Sequence, residues 1–144
     1  QRILIVEDND ELRSYLVSLL SPKYYVQACC NGREALVIVK EFWPELILSD
    51  VMMPEMQGDE LCAAIKKDVE TSHIPVLLLT ALGDGEKILD GLTIGADEYI
   101  VKPFKCEVIE GGIANLLSNR ALLRRAVCNL EIDSEPVPSA NGNE

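Results

Sequence analysis

Four charged side chains stand at the ends of apolar, strand-like runs in this sequence. Glu7 and Asp8 follow the first run, Asp50 follows the third, and Lys102 follows the last. Because the carboxyl ends of parallel strands meet at one edge of an open α/β sheet, we expect these side chains to lie close together. Three carboxylates beside one lysine suit a divalent cation and a phosphoryl group, so this edge is the candidate site.

Each residue of the set has its own chemical use. The carboxylates of Asp8 and Asp50, together with a backbone carbonyl, fit the octahedral oxygen coordination of Mg²⁺. Asp50 is predicted to attack phosphorus as a carboxylate nucleophile and to form an acyl phosphate. Lys102 offers a positive charge to the phosphate oxygens, and Thr80, after the fourth run, offers a hydroxyl. A single strand-end acid is more often a helix cap or turn residue, but matching groups at four strand ends favour a site.

Apolar runs alternate with helical patterns, and this alternation predicts an α/β fold. The strands are predicted at 2–6, 24–28, 45–49, 74–79 and 97–101. The helices are predicted at 10–20, 32–42, 57–68, 84–93 and 104–127. Five βα repeats with short connections predict a doubly wound parallel sheet with helices on both faces.

The last two predicted helices differ from the others. Glycines surround or interrupt the fourth, and each interior glycine costs about 1 kcal/mol relative to alanine, so we expect mobility beside the site. The fifth continues beyond what one small sheet can cover, which suits a solvated surface helix, a dimer helix or an inter-domain helix. Because proline-bearing linker composition follows, we predict one domain at 1–128 and a linker or disordered tail at 129–144.

Composition limits the classes of protein. The 144 residues suffice for one domain, and 48% hydrophobic and 26% charged residues are ordinary for a globular protein. A net charge of −11 argues against direct nucleic-acid binding, and no apolar stretch reaches the roughly 20 residues of a membrane span. Five cysteines without a C-x-x-C pair predict reduced thiols in the cytoplasm, and the single His73 argues against zinc. The chain opens without methionine, so we expect a piece of a longer protein.

The combined motifs resemble the receiver domain of response regulators in two-component signalling, over residues 2–125. The resemblance rests on an acidic pair after the first strand, a phosphoacceptor segment, a switch hydroxyl before a small residue, a switch aromatic and a lysine-proline pair. In this chain these are Glu7-Asp8, Asp50 to Gly58 (D-x-M-M-P-x-M-x-G), Thr80-Ala81, Tyr99 and Lys102-Pro103-Phe104. The resemblance implies a (βα)5 flavodoxin-like fold with strand order 2-1-3-4-5 and a cis Lys102–Pro103 peptide. The extended last helix, predicted from its own pattern, resembles that of receivers joined to a C-terminal effector.

For the site, the resemblance implies a bound Mg²⁺ and one phosphoacceptor. The ion is held by Asp8, Asp50 and the backbone carbonyl of Met52, with Glu7 acting mainly through water. Asp50 accepts a phosphoryl group from the phosphohistidine of a histidine kinase or of its phosphotransfer domain, and Lys102 contacts that group.

The implied response is a conformational switch. Thr80 moves toward the phosphoryl group and Tyr99 turns inward, which repacks the face formed by the fourth helix, the fifth strand and the fifth helix. Such domains use this face to form homodimers on phosphorylation or to control a covalently linked output domain, here expected outside the chain and transcriptional. The resemblance therefore implies a cytoplasmic phosphoacceptor rather than an enzyme, from a response regulator or hybrid sensor, without membrane contact.

Three other functions fit parts of the pattern. An aspartate-nucleophile phosphatase needs a second acid two residues beyond Asp50, where this chain has Met52. A flavin- or nucleotide-binding module needs a phosphate loop after the first strand, where this chain has acids. A receiver that binds partners without phosphorylation would not need the full set of residues found here.

Met52 and Leu82 are both apolar and cannot orient an attacking water, so we predict slow self-dephosphorylation.

Overall fold

The computed structural model describes residues 1–51, 53, 56–81 and 96–132. The strands are β1 (Arg2–Val6), β2 (Tyr25–Cys29), β3 (Leu46–Asp50), β4 (Val76–Ala81) and β5 (Glu98–Lys102). The helices are α1 (Asp10–Leu20), α2 (Gly32–Phe42), α3 (Gly58–Lys67) and α4 (Cys106–Ile132). All neighbouring strands pair in parallel, in the order β2-β1-β3-β4-β5. The doubly wound, flavodoxin-like order is therefore confirmed.

Each face of the sheet carries its own buried core. Ile3 and Ile5 of β1 pack into a cluster with α1 and α4, whereas Leu4 and Val6 pack into a cluster with α2 and α3. Successive side chains of a strand point to opposite faces. A continuous apolar run therefore indicates burial on both faces, and all five residues of β3 are indeed buried.

The strands extend further into polar sequence than predicted. β2, β3 and β5 lie one residue later than predicted and β4 two residues later, whereas β1, α1 and α2 match their predicted bounds. Apolar side chains mark where a strand is buried, but backbone pairing continues through Asp50, Thr80 and Lys102. These three residues therefore lie within the last two positions of their strands, and pairing in the sheet orients their side chains more rigidly than a loop would.

The predicted fourth helix, 84–93, lies outside the described residues. The predicted fifth helix is α4, which begins two residues later and ends five residues later than predicted. Its backbone is helical through 129–132, the first four residues of the predicted tail. Among the described helices, none combines the length and hydropathy that a membrane span requires.

Two asparagines begin the helices next to the site. Asn9 caps α1 by accepting a hydrogen bond from the amide of Leu12 at 2.9 Å. Asn31 caps α2 by accepting from the amide of Glu34 at 2.9 Å. Both caps fix a turn that leaves the carboxyl edge of the sheet.

Lys66 of α3 connects this helix to the starts of β4 and β5. The Lys66 ammonium donates to the carbonyl of Ile74 at 2.8 Å and to Oδ2 of Asp97 at 2.9 Å. The same Asp97 oxygen accepts a hydrogen bond from the amide of Val76 at 2.8 Å. One lysine thus holds two neighbouring strands in register at the edge opposite the candidate site.

Candidate functional site

The three acidic residues singled out in the sequence come together in space. One oxygen from each of Glu7, Asp8 and Asp50 lies within 4.8 Å of the others, with Glu7 and Asp50 buried and Asp8 exposed. The Lys102 ammonium lies 3.2 Å from Oδ1 of Asp50 and 3.7 Å from Oε1 of Glu7. Three carboxylates and one ammonium therefore share a single space at the carboxyl edge of the sheet.

Parallel pairing explains how distant residues reach this space. Asp50 is the last residue of β3 and is level with Leu79 of β4, while Lys102 is the last residue of β5 and is level with Ala81. Thr80 lies between these two levels on the strand that separates β3 from β5. Its side chain is fully buried, and its hydroxyl donates to the carbonyl of Ala81 at 3.4 Å. The register thus places the hydroxyl-bearing residue beside both the carboxylate and the lysine.

Glu7 is a buried acid whose pKa is shifted by its surroundings. Its residue exposure is 1%, and burial together with the nearby charge of Asp50 raises its pKa from 4.5 to about 7. The amide of Asn9, which donates to Oε2 at 3.1 Å, and the charge of Lys102 offset part of this increase in pKa. The site is therefore short of positive charge when all three carboxylates are ionised.

The donor set fits a hard divalent cation. Oε1 of Glu7 is buried and accepts no hydrogen bond from any described residue, since the Lys102 ammonium, at 3.7 Å, is too far away to donate one. A buried carboxylate oxygen left in this way is costly unless a cation or an ordered water reaches it. Carboxylate oxygens at this spacing are the ligands that Mg²⁺ takes in proteins, so the residues present fit the ion. Met52, whose carbonyl the resemblance adds to the ligands, lies outside the described residues.

Gly58 allows the loop after β3 to fold back onto the site. A Cβ atom built on Gly58 would lie 2.1 Å from the carbonyl oxygen of Asp50, a distance that no packed structure accepts. The Gly58 amide donates to the carbonyl of Val51 at 2.8 Å, which closes the loop. The sequence marks Gly58 as a loop boundary, but this close approach to Asp50 becomes visible only in the folded chain.

Arg13 is a further charged residue at the site that the sequence analysis did not select. Its Nη1 donates to the carbonyl oxygen of Glu7 at 2.8 Å, and its other terminal nitrogen pairs with Asp10. The available signal was its place in the second turn of α1, three residues after Asp10, where a helix brings side chains together. That spacing predicts the pair with Asp10 but not the bond to Glu7.

Lys102 and Tyr99, the lysine and the aromatic residue that the resemblance assigns to the site, both lie on β5. The Lys102–Pro103 peptide bond is cis, as expected. Tyr99 is level with Leu78 of β4, and its ring packs against the core cluster shared with α2 and α3. The hydroxyl oxygen of Tyr99 is buried in this arrangement.

The fold and the site together define a doubly wound α/β domain with an acidic cluster and a lysine at its carboxyl edge. The profile of the response regulator receiver domain family matches residues 3–113. The chain belongs to this family and is a receiver domain of two-component signalling.

Similar proteins include both kinases and regulators. The chain is 46% identical over 127 residues to histidine kinase P4 of Formosa agariphila, covering 88% of this chain and 9% of that protein. It is 39% identical over 126 residues to the probable transcriptional regulator ycf27 of Guillardia theta, covering 87% of this chain and 46% of that protein. The chain therefore spans less than half the length of either relative.

Solved structures show the same architecture. The signal receiver domain of a signal transduction histidine kinase from Syntrophus aciditrophicus is 40% identical, with a TM-score of 0.77 over 82% of this chain and 90% of that chain. A receiver domain protein from Clostridium thermocellum is 27% identical, with a TM-score of 0.79 over 85% of this chain and 98% of that chain. The described fold is thus that of receiver domains.

Proposed function

We propose that this receiver accepts one phosphoryl group on Asp50 from the phosphohistidine of a histidine kinase or of its phosphotransfer domain. The observation that carries the proposal is the pairing of Asp50, at the end of β3, with the Lys102 ammonium at 3.2 Å inside an acidic cluster. A carboxylate held beside a fixed cation is both a nucleophile and a place where an incoming phosphate finds positive charge.

The transfer exchanges one bond for another. An oxygen of Asp50 attacks phosphorus, the oxygen–phosphorus bond forms, and the nitrogen–phosphorus bond breaks with its electron pair leaving on the histidine nitrogen. Lys102 neutralises charge on the phosphoryl oxygens, and Thr80, one residue beyond the position of β4 that is level with Asp50, would donate its hydroxyl to one of them. The product is an acyl phosphate on Asp50.

Magnesium is the proposed cofactor of this step. Asp8 and Asp50 would hold the ion with the carbonyl of Met52, and Glu7 would contact it mainly through water. When bound, the ion offsets the negative charge of the carboxylates and of the phosphoryl oxygens. The buried Oε1 of Glu7 supports this role because no described residue donates a hydrogen bond to it.

The proposed output is a conformational switch that begins at Thr80 and Tyr99. Thr80 moves toward the phosphoryl group, and Tyr99 adjusts its packing against the core, which alters the face formed by 84–93, β5 and α4. The Tyr99 hydroxyl is already buried in the structure. This supports a switch in which phosphorylation stabilises an existing inward position of Tyr99 and does not create a new one. The face would then mediate homodimerisation or control of a linked output domain.

The wider setting follows the relatives. A ycf27-like architecture would make the output transcriptional, and a kinase-like one would place the domain in a phosphorelay, in the cytoplasm in both cases. The domain itself acts as a phosphoacceptor that is slow to release its phosphate, because Met52 and Leu82, both outside the described residues, cannot orient water. Direct DNA binding by this acidic domain is disfavoured by its net charge of −11.

Beryllofluoride, which mimics a phosphoryl group, tests the proposal without a kinase. With Mg²⁺ present, it should raise the melting temperature of the wild-type domain, and Asp50→Asn should abolish the increase because the acceptor oxygen is lost. Ser49→Ala is the control at the neighbouring position: it removes the hydroxyl that donates to the backbone carbonyl of Asp50 but leaves the Asp50 carboxylate in place, so the increase should remain. An equal increase in Asp50→Asn would contradict the assignment, and no increase in wild type would favour a receiver that works without phosphorylation.

A further inference from the structure

We infer that Arg13 is a positioning residue for the metal site, acting on the peptide bond between Glu7 and Asp8. The inference rests on the proposed Mg²⁺ site. The guanidinium of Arg13 donates to the carbonyl oxygen of Glu7 at 2.8 Å, and a quarter of the Arg13 side chain is exposed. Because that carbonyl and the Asp8 amide belong to one planar unit, the bond sets the direction in which Asp8 leaves the strand.

The acidic turn is held from two sides. On one side, the Asn9 amide donates to Oε2 of Glu7 at 3.1 Å, and on the other, Arg13 grips the Glu7 carbonyl. The Arg13 amide also donates to the Asn9 carbonyl at 2.9 Å, so the arginine side chain and the end of the turn share one helical frame. Removing the guanidinium leaves the Glu7–Asp8 peptide without the bond that fixes its plane, and the exposed carboxylate of Asp8 can then leave the ligand geometry.

The charge of Arg13 has the opposite effect on metal binding. A guanidinium close to the cluster repels a divalent cation, so its charge alone lowers the affinity for Mg²⁺. If Arg13 acted only through charge, its removal would strengthen binding. If it acts by positioning, its removal weakens binding, because a misdirected Asp8 no longer closes the coordination. The two roles therefore predict opposite signs for one measurement.

Calorimetric titration with Mg²⁺ alone measures this sign. In Arg13→Gln we expect the dissociation constant to rise about tenfold, as is typical when a group that orients a metal ligand is lost. Arg13→Lys keeps the charge and one donor, so its dissociation constant should lie between those of wild type and Arg13→Gln. Asp10→Asn is the matched control: it removes the exposed partner of Arg13 but keeps the bond to Glu7, so the constant should stay within about twofold of wild type.

Unfolding in urea without Mg²⁺ shows whether each variant folds, and Arg13→Lys carries the test if Arg13→Gln does not fold. Unchanged or tighter binding in the folded variants would overturn the inference while leaving the proposed function intact. A wild-type domain that binds no Mg²⁺ would overturn the proposed function and the inference together. Weaker binding in Arg13→Gln with partial recovery in Arg13→Lys is the result we predict.

Discussion

The ammonium of Lys102 lies 3.2 Å from Oδ1 of Asp50, although the two residues end strands that are separated by β4. The same ammonium lies 3.7 Å from Oε1 of Glu7 and so stands where two buried carboxylates need a cation. Under the proposed function, a phosphoryl group on Asp50 would share this charge and so change the partners of Lys102. The response is then expected at β3 and β5, the two strands that end in Asp50 and Lys102.

The pH dependence of stability should report Glu7. Its pKa is raised from 4.5 to about 7 in the folded chain, so between these values the folded state binds more protons than the unfolded state. Without Mg²⁺, the free energy of unfolding should fall as the pH rises through this window, and Glu7→Gln should remove that part of the fall. Urea unfolding of both proteins at about pH 5 and about pH 8 measures it.

Magnesium provides the complementary check on the same residue. Because the ion favours the ionised carboxylate, its stabilising effect on wild type should be larger at about pH 8 than at about pH 6. A pH dependence of Glu7→Gln identical to that of wild type would show that Glu7 ionises in the folded chain as it does in the unfolded one.

Gly58→Ala should damage the site through the backbone. The added Cβ would lie 2.1 Å from the Asp50 carbonyl, so the loop must move, at a cost of about 2 kcal/mol or more in the free energy of unfolding. Phosphorylation of Asp50 should also slow. Gly111→Ala is the control, because a Cβ there meets nothing within 4 Å. Equal stability of Gly58→Ala and wild type would mean that the loop does not approach Asp50 as described.

The glycine pair in α4 gives a second comparison. Gly111→Ala should stabilise the domain by about 1 kcal/mol, the usual gain when an open helical glycine becomes alanine. Gly112→Ala should gain less or lose stability, because its Cβ would lie 3.3 Å from the methyl ends of Ile100 and Leu77. Chemical unfolding measures both, and an equal gain in the two variants would contradict the tight packing of α4 against β5 at Gly112.

Lys66→Ala should destabilise the domain by about 1–3 kcal/mol, since the partly buried carbonyl of Ile74 and the carboxylate of Asp97 lose a charged donor. Lys67→Ala, at the exposed neighbouring position, should change the free energy of unfolding by less than about 0.5 kcal/mol. Similar losses in the two variants would show that the ion pair of Lys66 contributes nothing beyond a surface charge.

The sequence was sufficient for the fold and for the cluster of residues at its edge. Alternating apolar and helical patterns yield the strand order once the receiver resemblance is applied, and strand ends carry Asp50, Thr80 and Lys102 to one place. Periodicity does not reveal where pairing continues into polar residues, so three strands lie one residue later than predicted and β4 lies two.

Contacts between residues that come close only in the folded chain could not be predicted from the sequence. The bond from Arg13 to the Glu7 carbonyl depends on the angle between β1 and α1, and the need for glycine at 58 depends on a loop that returns to Asp50. Neither leaves a periodic signal. The pKa of Glu7 likewise depends on burial and on Asp50, which lies 43 positions away in the chain.

The most direct test of the central claim is the mass of the domain after incubation with acetyl phosphate and Mg²⁺. We predict a gain of one phosphoryl group in wild type, located by peptide mapping to the segment that contains Asp50, and no gain in Asp50→Asn or when the metal is chelated. A gain in Asp50→Asn equal to that of wild type, or phosphate mapped to another segment, would contradict the account.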